Sequence, residues 1–347
     1  MQAHGICRAR PAGATRAEER GRAGLMTHGK SRDGEVLHAV EGGSATAVAG
    51  ERSPDLSYLR SVVDRRLGLL LPTTASNPAT LHAAMRHILL APGKRLRPLL
   101  AMSAALRLGA DEHAVLDCGC ALEMIHAASL IIDDLPCMDD AKLRRNQPAT
   151  HVQFGEDVAV LAAISLLTRA YGVVAASAAV PAPARAEILA IYTNAVGSLG
   201  LCGGQFDDLR PVPGRSLAAT EDVNRRKTGL LFTAAVEAAS QVHEARADDR
   251  DALRDFANHT GRAYQILDDL LDVQSSAAAL GKDVGKDEGK ATVVASLGAS
   301  RAAGLLDSHL RGAADASDRM SRRCEGPDPL RDFLRHAFGG LPGVTLP

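Results

Sequence analysis

Two groups of aspartates, each set in a Leu/Ile-rich stretch, are where this chain could do chemistry. Asp133, Asp134, Asp139 and Asp140 follow Ser129-Leu130-Ile131-Ile132, and Asp268, Asp269 and Asp272 follow Tyr264-Gln265-Ile266-Leu267. Carboxylates are rarely buried unless paired or holding a metal, so acids in such a setting call for a cation. On a helix Asp268 and Asp272 share a face, with Asp269 about 100° round from both. Acids this close raise one another's pKa unless cations neutralise them. Mg²⁺ suits them, because it takes oxygen ligands, keeps several waters and bridges carboxylates to substrate phosphates. A solvated acidic helix face would produce the second group equally well. The first group is more specific. Pro136 should end the helix that carries Asp133 and Asp134, and Arg144-Arg145 follow soon after the second pair of acids. Acid and base packed so tightly suit a metal site with direct phosphate contact, since Arg forks onto phosphate oxygens. The competing reading is a loop salt-bridged to itself.

A third element is Gly93-Lys94-Arg95-Leu96-Arg97-Pro98. Its basic side chains, after a glycine that frees the backbone, could hold a second diphosphate without metal. It lacks the spacing of a Walker A loop. Lys227-Thr228, Lys282, Lys286 and Lys290 are further basic candidates, each alone more readily a surface residue. His126 stands two helical turns before Asp133 on the same face, a position that a hydrogen-bonded core histidine would also occupy.

The elements that must position these groups read as helices. Hydrophobic residues make up 46% of the 347 residues but aromatics only 3%, so Ala, Leu and Gly carry the apolar content, as in close-packed helices. Leu56, Leu59, Val63, Leu67 and Leu70 recur at spacings of three and four, and 114–135, 156–180, 184–200, 228–243 and 249–273 read as further helices. Breaks fall at Pro181/Pro183, at 210–214 and at 281–290. No run shows period-two alternation bounded by hairpin turns. An all-α bundle over 53–347 fits, as a single domain. Residues 1–52 read as a disordered tail or a misassigned start, with Met26 an alternative first residue; a targeting segment is the lesser reading, since Glu18 and Glu19 interrupt its arginines.

Forty basic against 41 acidic residues argue against nucleic acid or an anionic membrane as partner. The longest apolar stretches look broken short of the roughly 20 residues of a transmembrane segment. The six cysteines show no CxxC pairing and no zinc spacing, and read as reduced residues in or near the core of a cytoplasmic protein.

Taken together these pieces resemble the trans-isoprenyl diphosphate synthase (polyprenyl synthetase) family over about residues 55–310. The resemblance rests on GKRLRP, EMIHAASLIIDDLPCMDD with KLRR, GGQFDDL at 203–209, Lys227-Thr228, and YQILDDLLD followed by GKD and GK. The wording is closest to bacterial geranylgeranyl diphosphate synthases of carotenoid pathways. It implies a helical bundle around a central apolar cavity, probed by a Mg²⁺-dependent reaction with three ions per site, in a homodimer. Asp133 and Asp139 would ligate Mg²⁺ from one side, and Asp268, Asp269 and Asp272 from the other. Arg144, Lys227 and Lys282 would hold the allylic diphosphate, and Lys94, Arg97, His126 and Arg145 isopentenyl diphosphate. Thr228 and Gln265, with Lys227, would serve the forming allylic cation. The family usually has Gly where Asn146 stands, and Gly-Asp-Ala where Ala163-Ile164-Ser165 stands.

Product length follows from cavity depth, since an isoprene unit is about as long as one helical turn of 5.4 Å. Ala128 and Ser129, one turn below Asp133, are both small, where the family's shorter-product bacterial enzymes typically carry a bulky aromatic at the first of the two. A small floor favours a C20 over a C15 product, as does the four-residue gap between Asp134 and Asp139. Farnesyl diphosphate synthase is the near alternative. A class I terpene cyclase would need neither GKRLRP nor a second acid group, and a non-catalytic regulatory subunit usually lacks part of the acid set. Helix faces such as 114–130 look too apolar for exposure and suggest the dimer contact.

Overall fold

Asp55 caps the first helix, α1 (Leu56–Leu70), its carboxylate accepting from the Ser57 N–H, and Leu59, Val63, Leu67 and Leu70 are buried along one stripe. A computed structural model of the chain describes residues 55–274 except 211 and 213, with 292–321 and 326–339. The tail 1–52, Lys282, Lys286, Lys290, Cys7 and Cys324 lie outside the described residues.

The chain continues through α2 (Ala79–Leu89), α3 (Leu96–Arg107), α4 (Leu116–Asp133), α5 (Thr150–Phe154), α6 (Glu156–Ala176), α7 (Ala182–Val196), α8 (Leu201–Asp208) and α9 (Leu217–Asn224). After a π-helical turn, Arg225–Gly229, come α10 (Leu230–Val242), α11 (Ala247–Gln274), α12 (Val293–Leu297), α13 (Ala299–Arg319) and α14 (Pro329–Phe338). The five later helices read from periodicity are all found. The fold is all-α, with one exception among the described residues. Leu143–Arg144 (β1) pairs antiparallel with Gln147–Pro148 (β2) across Arg145 and Asn146, whose φ values are +53° and +62°. Two positive φ angles in a two-residue loop are those of the hairpin turn that suits strand twist. Strands this short carry no period-two signal.

Helix α10 packs against α3, α4, α7 and α11, so it lies between the two helices that carry the acids. It is buried nearly all round, and Phe232 is fully enclosed. Helix α4 packs on α3 and α6; the α6 face that it meets offers mostly small side chains, with Ala159, Ala162, Ala163 and Ala170 buried around Leu166.

Three readings from the sequence need correction. The stretches Glu112–Asp133 and Glu156–Ala176 are in fact long and apolar enough to cross a membrane. Within the fold, however, 67% of the first is buried, and its apolar residues from Cys118 to Ile131 are taken up by neighbouring helices. The face 114–130 is therefore core, not an outer contact. The exposed apolar face belongs to α6, where Val160, Leu161 and Ile164 reach solvent and only 39% of the window is buried. Of the cysteines, Cys118 and Cys120 are buried as expected, but Cys137 and Cys202 are exposed.

Candidate active site

One cavity of about 560 Å³ gathers every described residue given a metal, substrate or catalytic role above, together with Ser129 but not Ala128. Its first acidic wall is the end of α4. The chain after Asp134 folds back on that helix: the Asp139 N–H donates to the Asp133 carbonyl at 2.9 Å, and the Ala141 N–H to the Asp134 carbonyl at 3.2 Å. These bonds satisfy carbonyls that a helix end leaves open. They also return Asp139 to Asp133, and both line the cavity. Burial pushes the Asp133 carboxyl up to about 6; Lys227 and Arg144 pull it down, and Asp139 and Asp134 add to the rise. Asp134 points elsewhere. It is 1% exposed and holds Arg144, whose Nε donates to its carboxylate at 3.0 and 3.2 Å. That fork fixes the Arg144 guanidinium at the cavity edge. Asp140 pairs with Lys142 outside the cavity.

The second acidic wall is the last part of α11, with Asp268, Asp269 and Asp272 all on the cavity. Asp269 is 3% exposed and already engaged: its oxygens accept from Gln265 Nε2 at 2.9 Å and from the Val293 N–H at 3.0 Å. Thr228 Oγ1 in turn donates to Gln265 Oε1 at 3.1 Å. Thr228, Gln265 and Asp269 thus form one hydrogen-bonded row along the cavity, which fixes the Gln265 amide with its oxygen toward Thr228.

Lys227 and Thr228 sit in the π-helical turn, where the Leu230 N–H donates back to the Arg225 carbonyl. Such turns widen a helix locally and re-aim side chains, often at functional sites. Helix α8 meets this turn backbone to backbone. A Cβ on Gly204 would lie 2.5 Å from the Lys227 nitrogen, so only glycine permits the approach. The approach sets Asp208 on Lys227 Nζ at 2.7 Å and Asp207 on Arg226 at 2.7 Å. Burial pulls the Lys227 ammonium down, but Asp208 and Asp133 outweigh it and hold its pKa above the ordinary value. Lys227 therefore remains a cation beside the first acid group.

The opposite wall is basic, built by the segment before α3, the middle of α4 and the hairpin. Arg97 is 7% exposed, stacks over the Phe232 ring with 5.2 Å to its centroid, and has an Nε without a partner. Lys94 Nζ donates to the Ala337 carbonyl at 3.4 Å. Arg95 is turned inward, donating to Asp64, Glu123 and the Ala91 carbonyl. Gly93 contributes room rather than a special backbone angle: a Cβ there would stand 3.2 Å from Arg145 Cζ. The residue with positive φ in this block is Arg95, at +51°. Burial and the guanidiniums of Arg97 and Arg145 hold the His126 pKa well below its usual range. His126 is thus a neutral hydrogen-bonding group among the arginines.

Ser129 lines the cavity, its hydroxyl donating to the His126 carbonyl at 2.9 Å, while Ala128 lies in the core outside it. Glu123, Gln205, Asp208 and Tyr264, which fall in the motifs quoted above but were given no role there, also line the cavity. A charge inside the apolar run 114–135 was a signal for Glu123. Gln205 is 6% exposed, and neither end of its amide has a partner, so a donor and an acceptor are left for whatever enters.

The donor set fits Mg²⁺. Asp133, Asp139, Asp268 and Asp272 present hard oxygens to one space, and the raised Asp133 pKa is that of a carboxylate short of positive charge. Among the described residues no three acid, histidine or cysteine side chains converge closely enough to cage an ion alone. An ion completed by water and substrate oxygens needs no such cage.

Comparison with known proteins agrees with this picture. The sequence profile of the polyprenyl synthetase family matches residues 78–322. A geranylgeranyl diphosphate synthase from Pseudescherichia vulneris is 40% identical over 86% of this chain and 95% of its own length. Another from Pantoea ananas is 42% identical over 80% and 90%. The solved geranyltransferase of Helicobacter pylori, complexed with magnesium and isoprenyl diphosphate, superposes with a TM-score of 0.71 at 25% identity, covering 83% of this chain and 97% of that one.

Proposed function

The chain belongs to the polyprenyl synthetase family and is a prenyltransferase, and we propose that it condenses isopentenyl diphosphate head-to-tail with an allylic diphosphate to give geranylgeranyl diphosphate. One observation carries this reading: a single cavity has an acidic side, Asp133, Asp139, Asp268 and Asp272, and a basic side, Lys94, Arg97 and Arg145. Two diphosphates of different fates need two such sites. The allylic one must lose its diphosphate, and the isopentenyl one must keep it.

Mg²⁺, held by Asp133 and Asp139 on one side and by Asp268 and Asp272 on the other, would neutralise the leaving diphosphate. Asp269, with both oxygens engaged, would orient the second group through Gln265, and three ions is the count the family resemblance implies. Arg144 and Lys227 add fixed positive charge where the C1–O bond breaks. The allylic cation then lies beside the Thr228 hydroxyl and the Gln265 amide oxygen, whose dipoles face it. The isopentenyl double bond attacks that cation, a carbon–carbon bond forms, and the C2 proton of the isopentenyl unit passes to the released diphosphate, which restores a double bond. Lys94, Arg97 and Arg145 hold the isopentenyl diphosphate as intact charge; His126, being neutral, donates or accepts one hydrogen bond. The apolar walls keep water from the cation.

The C20 length rests on Ser129 and Ala128 being small and on the alanine face of α6 beneath α4. The Pseudescherichia vulneris and Pantoea ananas relatives are geranylgeranyl diphosphate synthases, which supports that length. A carotenoid or related terpenoid route would consume it. Labelled isopentenyl diphosphate, offered with dimethylallyl, geranyl or farnesyl diphosphate and Mg²⁺, should enter a C20 product. No incorporation with any acceptor would sink the proposal, and a mainly C15 product would move it to farnesyl diphosphate synthesis.

A further inference from the structure

We infer that Glu123 is a positioning residue for isopentenyl diphosphate: it holds the Arg145 guanidinium in place by anchoring it to Arg95. This rests on assigning the basic wall to that substrate. Glu123 is 1% exposed, and its Oε1 accepts from Arg95 at 3.0 Å and from Arg145 at 3.3 Å. Arg95 is held on three sides, by Asp64 of α1, the Ala91 carbonyl and Glu123. It is spent on structure and has little left to offer a ligand.

Arg145 is placed quite differently. It sits in the turn of a hairpin whose strands are two residues each, so its backbone alone does little to aim its side chain. Its hydrogen bonds go to the Ile88 carbonyl at 3.3 Å and to Glu123, and Gly93 leaves the space its guanidinium fills. Glu123 thus passes the rigidity of Arg95 to the arginine of this wall that stands in a hairpin turn. It also offsets charge. Arg95, Arg97, Arg145 and Lys94 crowd one wall, and Glu123 and Asp64 leave two positive charges over, the right sign and size for a diphosphate. Burial raises the Glu123 pKa, but Arg145, Arg95 and Arg97 outweigh it, so the carboxylate stays ionised. Without it, two buried guanidiniums and the part-buried one of Arg145 repel one another, and Arg145 swings away.

The test is steady-state kinetics with each substrate varied in turn. In Glu123→Gln the KM for isopentenyl diphosphate should rise about tenfold or more, with the KM for the allylic diphosphate within twofold of wild type. Glu123→Asp, which keeps the charge one methylene short, should raise it about threefold, and it carries the test if the Gln variant does not fold. Glu123→Gln combined with Arg145→Gln should be no worse than Arg145→Gln alone, because both remove the same contact. A purely structural role would raise both KM values together, or make the double variant additive. Either result, or an unchanged KM for isopentenyl diphosphate in a folded variant, overturns the inference. Lys94→Ala and Arg97→Gln separate it from the site assignment: if they leave that KM unchanged, the assignment itself fails.

Discussion

Burial lifts the Asp133 carboxyl from 3.8 to about 6, so the folded protein holds that proton more tightly than the unfolded chain does. Stability from this group is therefore greatest below about pH 4 and is lost as pH rises to about 6. Two pKa units correspond to about 3 kcal/mol at most, reduced by screening at the cavity mouth. In chelator at pH 7.5, Asp133→Asn should unfold a few degrees above wild type, and at pH 4 the two should coincide; thermal melts at both pH values check this. The same variant should lose activity at least a hundredfold, the cost of removing a carboxylate that the substrate's ions need. Ala128 makes a second residue-scale case. It lies in the core next to Ser129, which is on the cavity wall. Ala128→Phe should close the space below Asp133 and shift the main product from C20 to C15, read by chromatography of the chains. An unchanged C20 profile would count against the floor argument.

At the scale of elements, helix α8 matters because it touches the π-helical turn through Gly204. Gly204→Ala sets a methyl group 2.5 Å from backbone at Lys227, which no rotamer change relieves. The helices must part, and the Asp208–Lys227 bond lengthens with them. The turnover number should drop about tenfold or more while circular dichroism stays helical; an unchanged turnover number would show that Lys227 does not depend on α8. The sequence announced part of this arrangement. The stripe from Leu59 to Leu70 and the acids of α11 were legible because helical period and carboxylate spacing are local properties. The π turn was not, since one extra residue in a helix leaves no periodic mark within five residues. Asn146 shows the middle ground: it departs from the family's usual Gly, yet its φ of +62° is one that Asn tolerates, so the hairpin keeps its turn. The pairing of Glu123 with two arginines was hidden because it joins residues 28 and 22 positions away.

For the whole molecule the unresolved demand is the outer face of α6. Val160, Leu161 and Ile164 are 36%, 53% and 55% exposed, on a helix whose apolar length would otherwise suit a bilayer. Adjacent apolar side chains on one helix face mark a contact surface more often than isolated ones do. A second copy of the chain is the simplest cover, because a two-fold contact brings the same apolar face from both sides. This replaces the 114–130 face, whose residues the fold itself consumes. Wild-type protein should therefore run in light scattering at the mass of two chains. Leu161→Glu with Ile164→Glu places two charges on each side of such a contact and should give single chains at micromolar concentration, with helix content retained. A bilayer is the competing cover, and it makes the opposite forecast: wild-type protein would float with liposomes and the double variant would not. Two-chain mass without flotation supports the dimer, whereas a variant that keeps its two-chain mass would place the contact elsewhere on the molecule.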